Sequence, residues 1–362
     1  MAFDRPLVQT LPMRYLMILP VILAVSTVGL LFAVSDVNVA LLQSQCHSHA
    51  RLPELSRIPV VGTFFCTLVS FFQISLDSWR AKAVMGVIIA LAGSLITVTT
   101  VESARPCNKK ARLVANPTPA WIILNLLGGA IIWQLLIVPV HLRRSRETFL
   151  EKDPQHQEEA GTDEREREEE RNVPLSEVIA IPVSLLIGYY LPSALMVALN
   201  NTATIASWQF FPVYVSFIRI LVRYVVERFW PETATTMIHL ESHRKSMAAV
   251  YALPTIVSIL SQGTAFWSLT WPEDRKEMTR STLPLIEMDL FSIGVATLYW
   301  VFAEVGWKIP AKMLGLSAVF GPGAGLVSGW VLRETVFREE IASSRQATQH
   351  GDGPSEETPL LQ

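Results

Sequence analysis

Residues 83–101 read AVMGVIIALAGSLITVTTV, a run without a single charged side chain. At 1.5 Å rise per residue a helix of this length extends about 28 Å, close to the ~30 Å hydrocarbon core of a bilayer. The stretch reads as a transmembrane helix, and the pattern recurs almost from end to end. Met13 to Val34, Ile58 to Ser75, Ala120 to Val140, Leu175 to Leu199, Ala203 to Val226, Met247 to Thr270, Leu285 to Val305 and Pro310 to Leu332 are apolar runs of similar length. Nine candidates predict an all-α fold, a polytopic transmembrane helical bundle of about 8–9 spans, falling to 7 where the shortest runs do not cross. The run from Ile58 is the weakest, because it is short and holds Pro59 and Gly62, and it also suits a re-entrant or interfacial segment.

Composition supports the membrane class. Half of the 362 residues are hydrophobic, 17% are charged and mean hydropathy is +0.34. A formal charge of −2 and the lack of a basic stripe argue against nucleic acid as a partner. One integral membrane domain, residues 1–341, is expected, with a disordered acidic loop over 151–173 and a disordered polar tail over 342–362. Residues 151–171 carry ten acidic and four basic side chains with almost nothing apolar to bury. Cys46, Cys66 and Cys107 show no CxxC pairing, so neither a zinc site nor a disulfide framework is expected. The first run follows Arg5 and Arg14 like a signal peptide, yet its length and the spans beyond it favour a retained helix.

Loop charge leaves sidedness open under this span count. Arg80 with Lys82 and the Arg143, Arg144, Arg146 cluster favour one orientation, whereas Arg105, Lys109, Lys110 and Arg112 favour the other. Asn200-Asn201-Thr202 is a glycosylation sequon in too short a turn to be modified, and Glu356 to Leu361 fits an acidic dileucine sorting pattern. No internal repeat suggests the paired halves of many transporters.

A charged side chain in hydrocarbon costs at least ~2.5 to 3.5 kcal/mol, so such residues face a cavity or a partner. Glu177, Arg219, Arg223, Glu287, Asp289 and Glu304 are the candidates. Asp289, Ile293, Ala296 and Trp300 share one helical face by their spacing. The plain reading of Asp289 is an acid near a helix start, and that of Glu304, four residues before Lys308, is a membrane edge. Arg219 and Arg223 suit either an anionic group or snorkelling to the interface. There is no HExxH, GxSxG, Walker loop, GxGxxG or DDxxD-like run, so no metal site and no cofactor is expected. Phe320 to Gly325, FGPGAG, reads as a helix break or a close helix contact.

Three segments carry a resemblance. Val319 to Ala324 followed by Trp330 and Arg333-Glu334, Met288 to Gly294 around Asp289, and Trp208-Gln209-Phe210-Phe211-Pro212 are similar to segments of the fungal membrane-bound terpene cyclases of the ascochlorin and ascofuranone type. The likeness covers about the C-terminal two thirds of the chain in spacing. Met288, where an aromatic is expected, and the acidic loop depart from it. The resemblance implies a lipophilic partner, a farnesyl-type prenylated precursor of a meroterpenoid, often epoxidised, cyclised in secondary metabolism without a cofactor. It implies a Brønsted acid, with Asp289 first and Glu177 second, and Trp208, Trp300 and Phe211 as aromatics that stabilise carbocations. It also implies residence in the endoplasmic reticulum or another endomembrane. A small-solute or lipid transporter, with intramembrane Arg219, Arg223, Glu177 and Asp289 as relays, is the competing expectation, and a non-catalytic scaffold is the third.

Overall fold

A computed structural model describes residues 6–34, 39–48, 58, 60–150 and 171–351. The helices in chain order are α1 (Met13–Val34), α2 (Val39–His47), α3 (Val61–Ser75), α4 (Trp79–Ala104), α5 (Thr118–Leu127) and α6 (residues 129–150). They continue with α7 (Leu175–Leu199), α8 (Thr202–Trp208), α9 (Phe211–Phe229), α10 (Arg244–Ser268), α11 (Glu277–Val305), α12 (Lys308–Phe320) and α13 (Pro322–Gly351). Two-residue strands β1 (Val173–Pro174) and β2 (Met237–Ile238) pair antiparallel between them. The acidic stretch 151–170 and residues 352–362, with the dileucine pattern, lie outside the described residues, while α13 remains helical through Gly351.

Among the described residues five helices, α1, α4, α7, α10 and α11, are long and apolar enough to cross a membrane. A sixth crossing forms if α8 and α9, bent by 60° to one another, act as one span. Val25, Phe32, Phe217, Leu260 and Phe291 project from the outside of the bundle, where lipid would cover them. Local signals set several ends: Ser78 caps α4 through Ala81 N–H at 3.1 Å, Asn201 caps α8 through Thr204 N–H at 2.8 Å, and Asn200, with φ of 44°, closes α7.

The expected 8–9 spans are reduced because two apolar runs double back. Residues 118–150 form a hairpin. Trp121 on α5 bonds Thr99 of α4, Asn125 reaches Gln209, and Gly129 meets Asp289 of α11. The chain then returns beside α11, with Trp133 bonded to Thr297 and Ser145 to Glu304, and Arg144 closes onto the Cys107 carbonyl. Both ends of the hairpin therefore lie at one end of the bundle, called here the Arg105 end. Gly128 makes the turn at φ of 111°, a conformation that favours glycine. Helices α12 and α13 form a second hairpin from the same end. Its tip is Gly321, at φ of 90°, and there Ser258 of α10 accepts from Ala324 N–H at 2.9 Å and donates to the Phe320 carbonyl at 3.2 Å. FGPGAG is thus a helix break, as its composition predicts. Hydropathy counts apolar residues and is blind to a reversal, so each hairpin looked like a span.

At the opposite, Asp77 end, α3 packs against α2, α8 and α11, and Gln73 bonds Asn200. Helix α3 both follows α1 and precedes α4 at that end, so it does not cross. Cys46 on α2 and Cys66 on α3 are joined by a disulfide, with Cα atoms 5.9 Å apart. This corrects the expectation of unpaired cysteines, since sequence spacing alone did not bring a 20-residue separation into register.

Seven charged side chains clamp the Arg105 end. Buried Arg105 donates to Glu334 at 2.6 Å and to Glu241 at 2.7 Å, while Arg333 pairs with Glu304 at 2.5 Å, Glu334 at 2.6 Å and Glu102 at 3.4 Å. Arg171 completes the set against Glu334 at 2.7 Å. Burial pushes the Glu241 carboxyl up, and the Arg105 charge pulls it back. Such a network is destabilising to break and fixes one arrangement of the helices that share it.

Candidate functional site

A cavity of about 570 Å3 opens at the Arg105 end, between α4, the segment leading into α5, α7 and α9. Its polar wall is built from α7 and α9. Glu177 lies in the first turn of α7, and Arg219 and Arg223 stand one helical turn apart on α9, on the same face. The Arg219 guanidinium grips both Glu177 oxygens, at 2.7 and 3.0 Å, and donates to Ser103 at 2.7 Å. Arg223 donates to Glu177 at 3.1 Å and is 44% exposed, so part of its fork faces the cavity. Lys109 and Asn116 form the rim, and Ile96, Trp121, Phe211 and Val215 form the floor. The two arginines hold a carboxylate of their own chain, an arrangement that the sequence reading did not anticipate.

The structure divides the residues singled out in the sequence. Glu177 and Phe211 line the cavity together. Trp208 backs Phe211, with ring centroids 5.4 Å apart, and donates to Ser193 at 2.8 Å. Asp289 and Trp300 lie elsewhere. Asp289 accepts the Ala130 N–H at 2.9 Å and the Gly129 N–H at 3.2 Å, capping the N-terminus of the returning α6 at a half-buried position midway along α11. A side chain at Gly129 would put its Cβ 2.7 Å from the Asp289 carboxylate, so only glycine fits beneath that cap. The shared face of Asp289, Ile293, Ala296 and Trp300 exists, and α11 turns it toward α6.

Trp300 donates to Glu304 at 2.9 Å and lies between Trp133, whose ring is tilted to it, and Trp330, which meets it edge-on, with His141 at 4.3 Å from its ring. Glu304 is fully buried and paired with Arg333, not placed at a membrane edge with Lys308, because α13 returns beside it. Trp208, Phe211, Trp121, Trp133, Trp300 and Trp330 form a continuous series of ring contacts, 4.9 to 6.4 Å between centroids, from the cavity floor to the charged clamp. Only its first part meets the cavity. Sequence reasoning missed Trp121, Lys109 and Asn116. Lys109 and Asn116 sit in a polar connection with no motif, and Trp121 was one of many aromatics beside a span.

A family model described as the CtvD domain matches residues 13–287. The chain belongs to the CtvD domain family. The match covers about three quarters of the chain and takes in every residue named above in the cavity. It stops short of Asp289, Trp300 and the FGPGAG tip, where most of the likeness to the ascochlorin-type cyclases lay. No curated protein and no solved structure matches the chain.

Proposed function

We propose that this CtvD-family chain is a membrane-embedded cyclase that isomerises an epoxidised prenyl or polyene chain of a meroterpenoid-type precursor, with Glu177 as its acid–base group. The observation that carries the reading is a carboxylate held by two guanidinium groups over an aromatic floor, in a cavity large enough for a lipophilic substrate. Arg223, partly free, donates to the epoxide oxygen and draws electron density from the C–O bond as it breaks. Trp121 and Phe211 present π faces to the positive charge that develops on carbon, and Trp208 supports Phe211. Ring closure ends when the terminating carbon gives its proton to Glu177, which returns it to the oxygen. No atom is gained or lost, so the product is an isomer of the substrate.

In this reading Asp289 is a positioning residue: it fixes the hairpin that carries Trp121. A transporter needs a polar path to both faces, and beneath this cavity Trp121, Phe211, Trp208 and Tyr189 fill the interior. Microsomes containing the protein, incubated with an epoxyfarnesyl aryl substrate, are expected to yield a cyclised product of unchanged mass. Glu177→Gln is expected to lower turnover by about 10²–10⁴-fold, the usual weight of a positioned acid–base group. Undiminished turnover in that variant, or no isomeric product from the parent protein, would refute the assignment.

A further inference from the structure

We infer that the Arg105 end of the bundle faces the cytosol and the Asp77 end faces an oxidising compartment, so that the Glu177 cavity opens on the cytosolic side. Three observations converge. The first is the Cys46–Cys66 disulfide at the Asp77 end, since such bonds form and persist in the secretory lumen or outside the cell and are rare in the cytosol. The second is charge. In the linear reading the clusters at 105–112 and 143–146 fell on opposite sides and cancelled. The hairpin over 118–150 returns both to one end, where Arg244, Lys245, Lys308 and Lys312 join them. Among the described residues, basic side chains at the other end are fewer: Arg80, Lys82, Arg275, Lys276 and Arg280. An excess of lysine and arginine marks the cytosolic side of membrane proteins.

The third observation is parity. With α8 and α9 as one span the described residues cross six times, and neither hairpin nor α3 adds a crossing. The start of α1 and the far end of α13 then fall on the same, cytosolic, face. Tyr299, near the Arg105 end of α11, bonds the Leu16 carbonyl at the start of α1, as this requires. For the cyclase reading, on which this clause alone rests, the reaction that installs the epoxide must release its product to the cytosolic leaflet.

The test uses the full-length chain in sealed microsomes, with an epitope after Gln362. Protease added without detergent is expected to remove the epitope. Blocking with maleimide and then reducing is expected to release two reactive thiols, because Cys107 is buried and burial pushes its thiol up. A glycosylation acceptor carried at the centre of a long flexible insertion between Trp271 and Lys276, clear of both helix ends, is expected to gain an endoglycosidase-sensitive glycan. A protected epitope, an unmodified acceptor in that insertion, or Cys46 and Cys66 reactive before reduction would each overturn the orientation. Cyclase activity is scored separately: an inactive protein with a digested epitope leaves the orientation standing, and a protected epitope with intact activity removes it alone.

Discussion

Replacing Asp289 with alanine removes the cap at the tip of the first hairpin. Two backbone N–H groups, of Gly129 and Ala130, then lose acceptors at 3.2 and 2.9 Å in a part-buried, water-poor site. Leaving a buried donor unsatisfied costs about 1–3 kcal/mol, and loss of an N-cap about 0.5–2 kcal/mol. The two descriptions overlap, so the expected destabilisation is about 2–3 kcal/mol, not their sum. At about 2.1 cal/mol/K of unfolding entropy per residue, a domain of this size loses about 3–4 °C in Tm. Asn keeps one acceptor oxygen but turns an amide toward the second N–H, so Asp289→Asn is expected to lose about half as much. The assay is thermal unfolding of the purified protein in one detergent, followed by intrinsic tryptophan fluorescence. Equal melting of Asp289→Ala and the parent would refute the capping argument and restore Asp289 as a group free for chemistry. Residual turnover in Asp289→Asn above that in Glu177→Gln is expected, because the first acts through position and the second on the substrate.

Arg219→Lys replaces a two-point grip on Glu177 with a single ammonium, and is expected to lower turnover by about 10–100-fold with little change in melting. Arg105→Met leaves Glu334 and Glu241 facing one another without their shared cation, and is expected to cost about 3–5 kcal/mol, read as poor recovery and early melting. Ser258→Ala removes the acceptor for Ala324 N–H at the second tip, and should lower stability by about 1 kcal/mol while sparing the cavity. Gly321→Ala forces a Cβ into a position 2.6 Å from the Ser258 hydroxyl at φ of 90°, so it is expected to destabilise more than Ser258→Ala in the same melting experiment.

Much of this protein is written in its local sequence. Runs such as residues 83–101 need no partner to declare a helix, because length and apolarity are properties of the segment itself. The sequence likewise marked Glu177, Arg219 and Arg223, since charge within an apolar run is costly wherever the chain goes. What it left open was direction. A run that crosses the membrane and one that turns back at Gly128 or Gly321 have the same hydropathy, and only the contacts of Asp289 with Gly129 and of Ser258 with Ala324 distinguish them. Other long-range contacts decided that Asp289 and Glu177 stand apart, that Glu304 lies buried against Arg333, and that Cys46 reaches Cys66. Local composition determines which segments leave water. The pairing of distant donors and acceptors, which no segment contains by itself, determines how they fold back and what cavity they enclose.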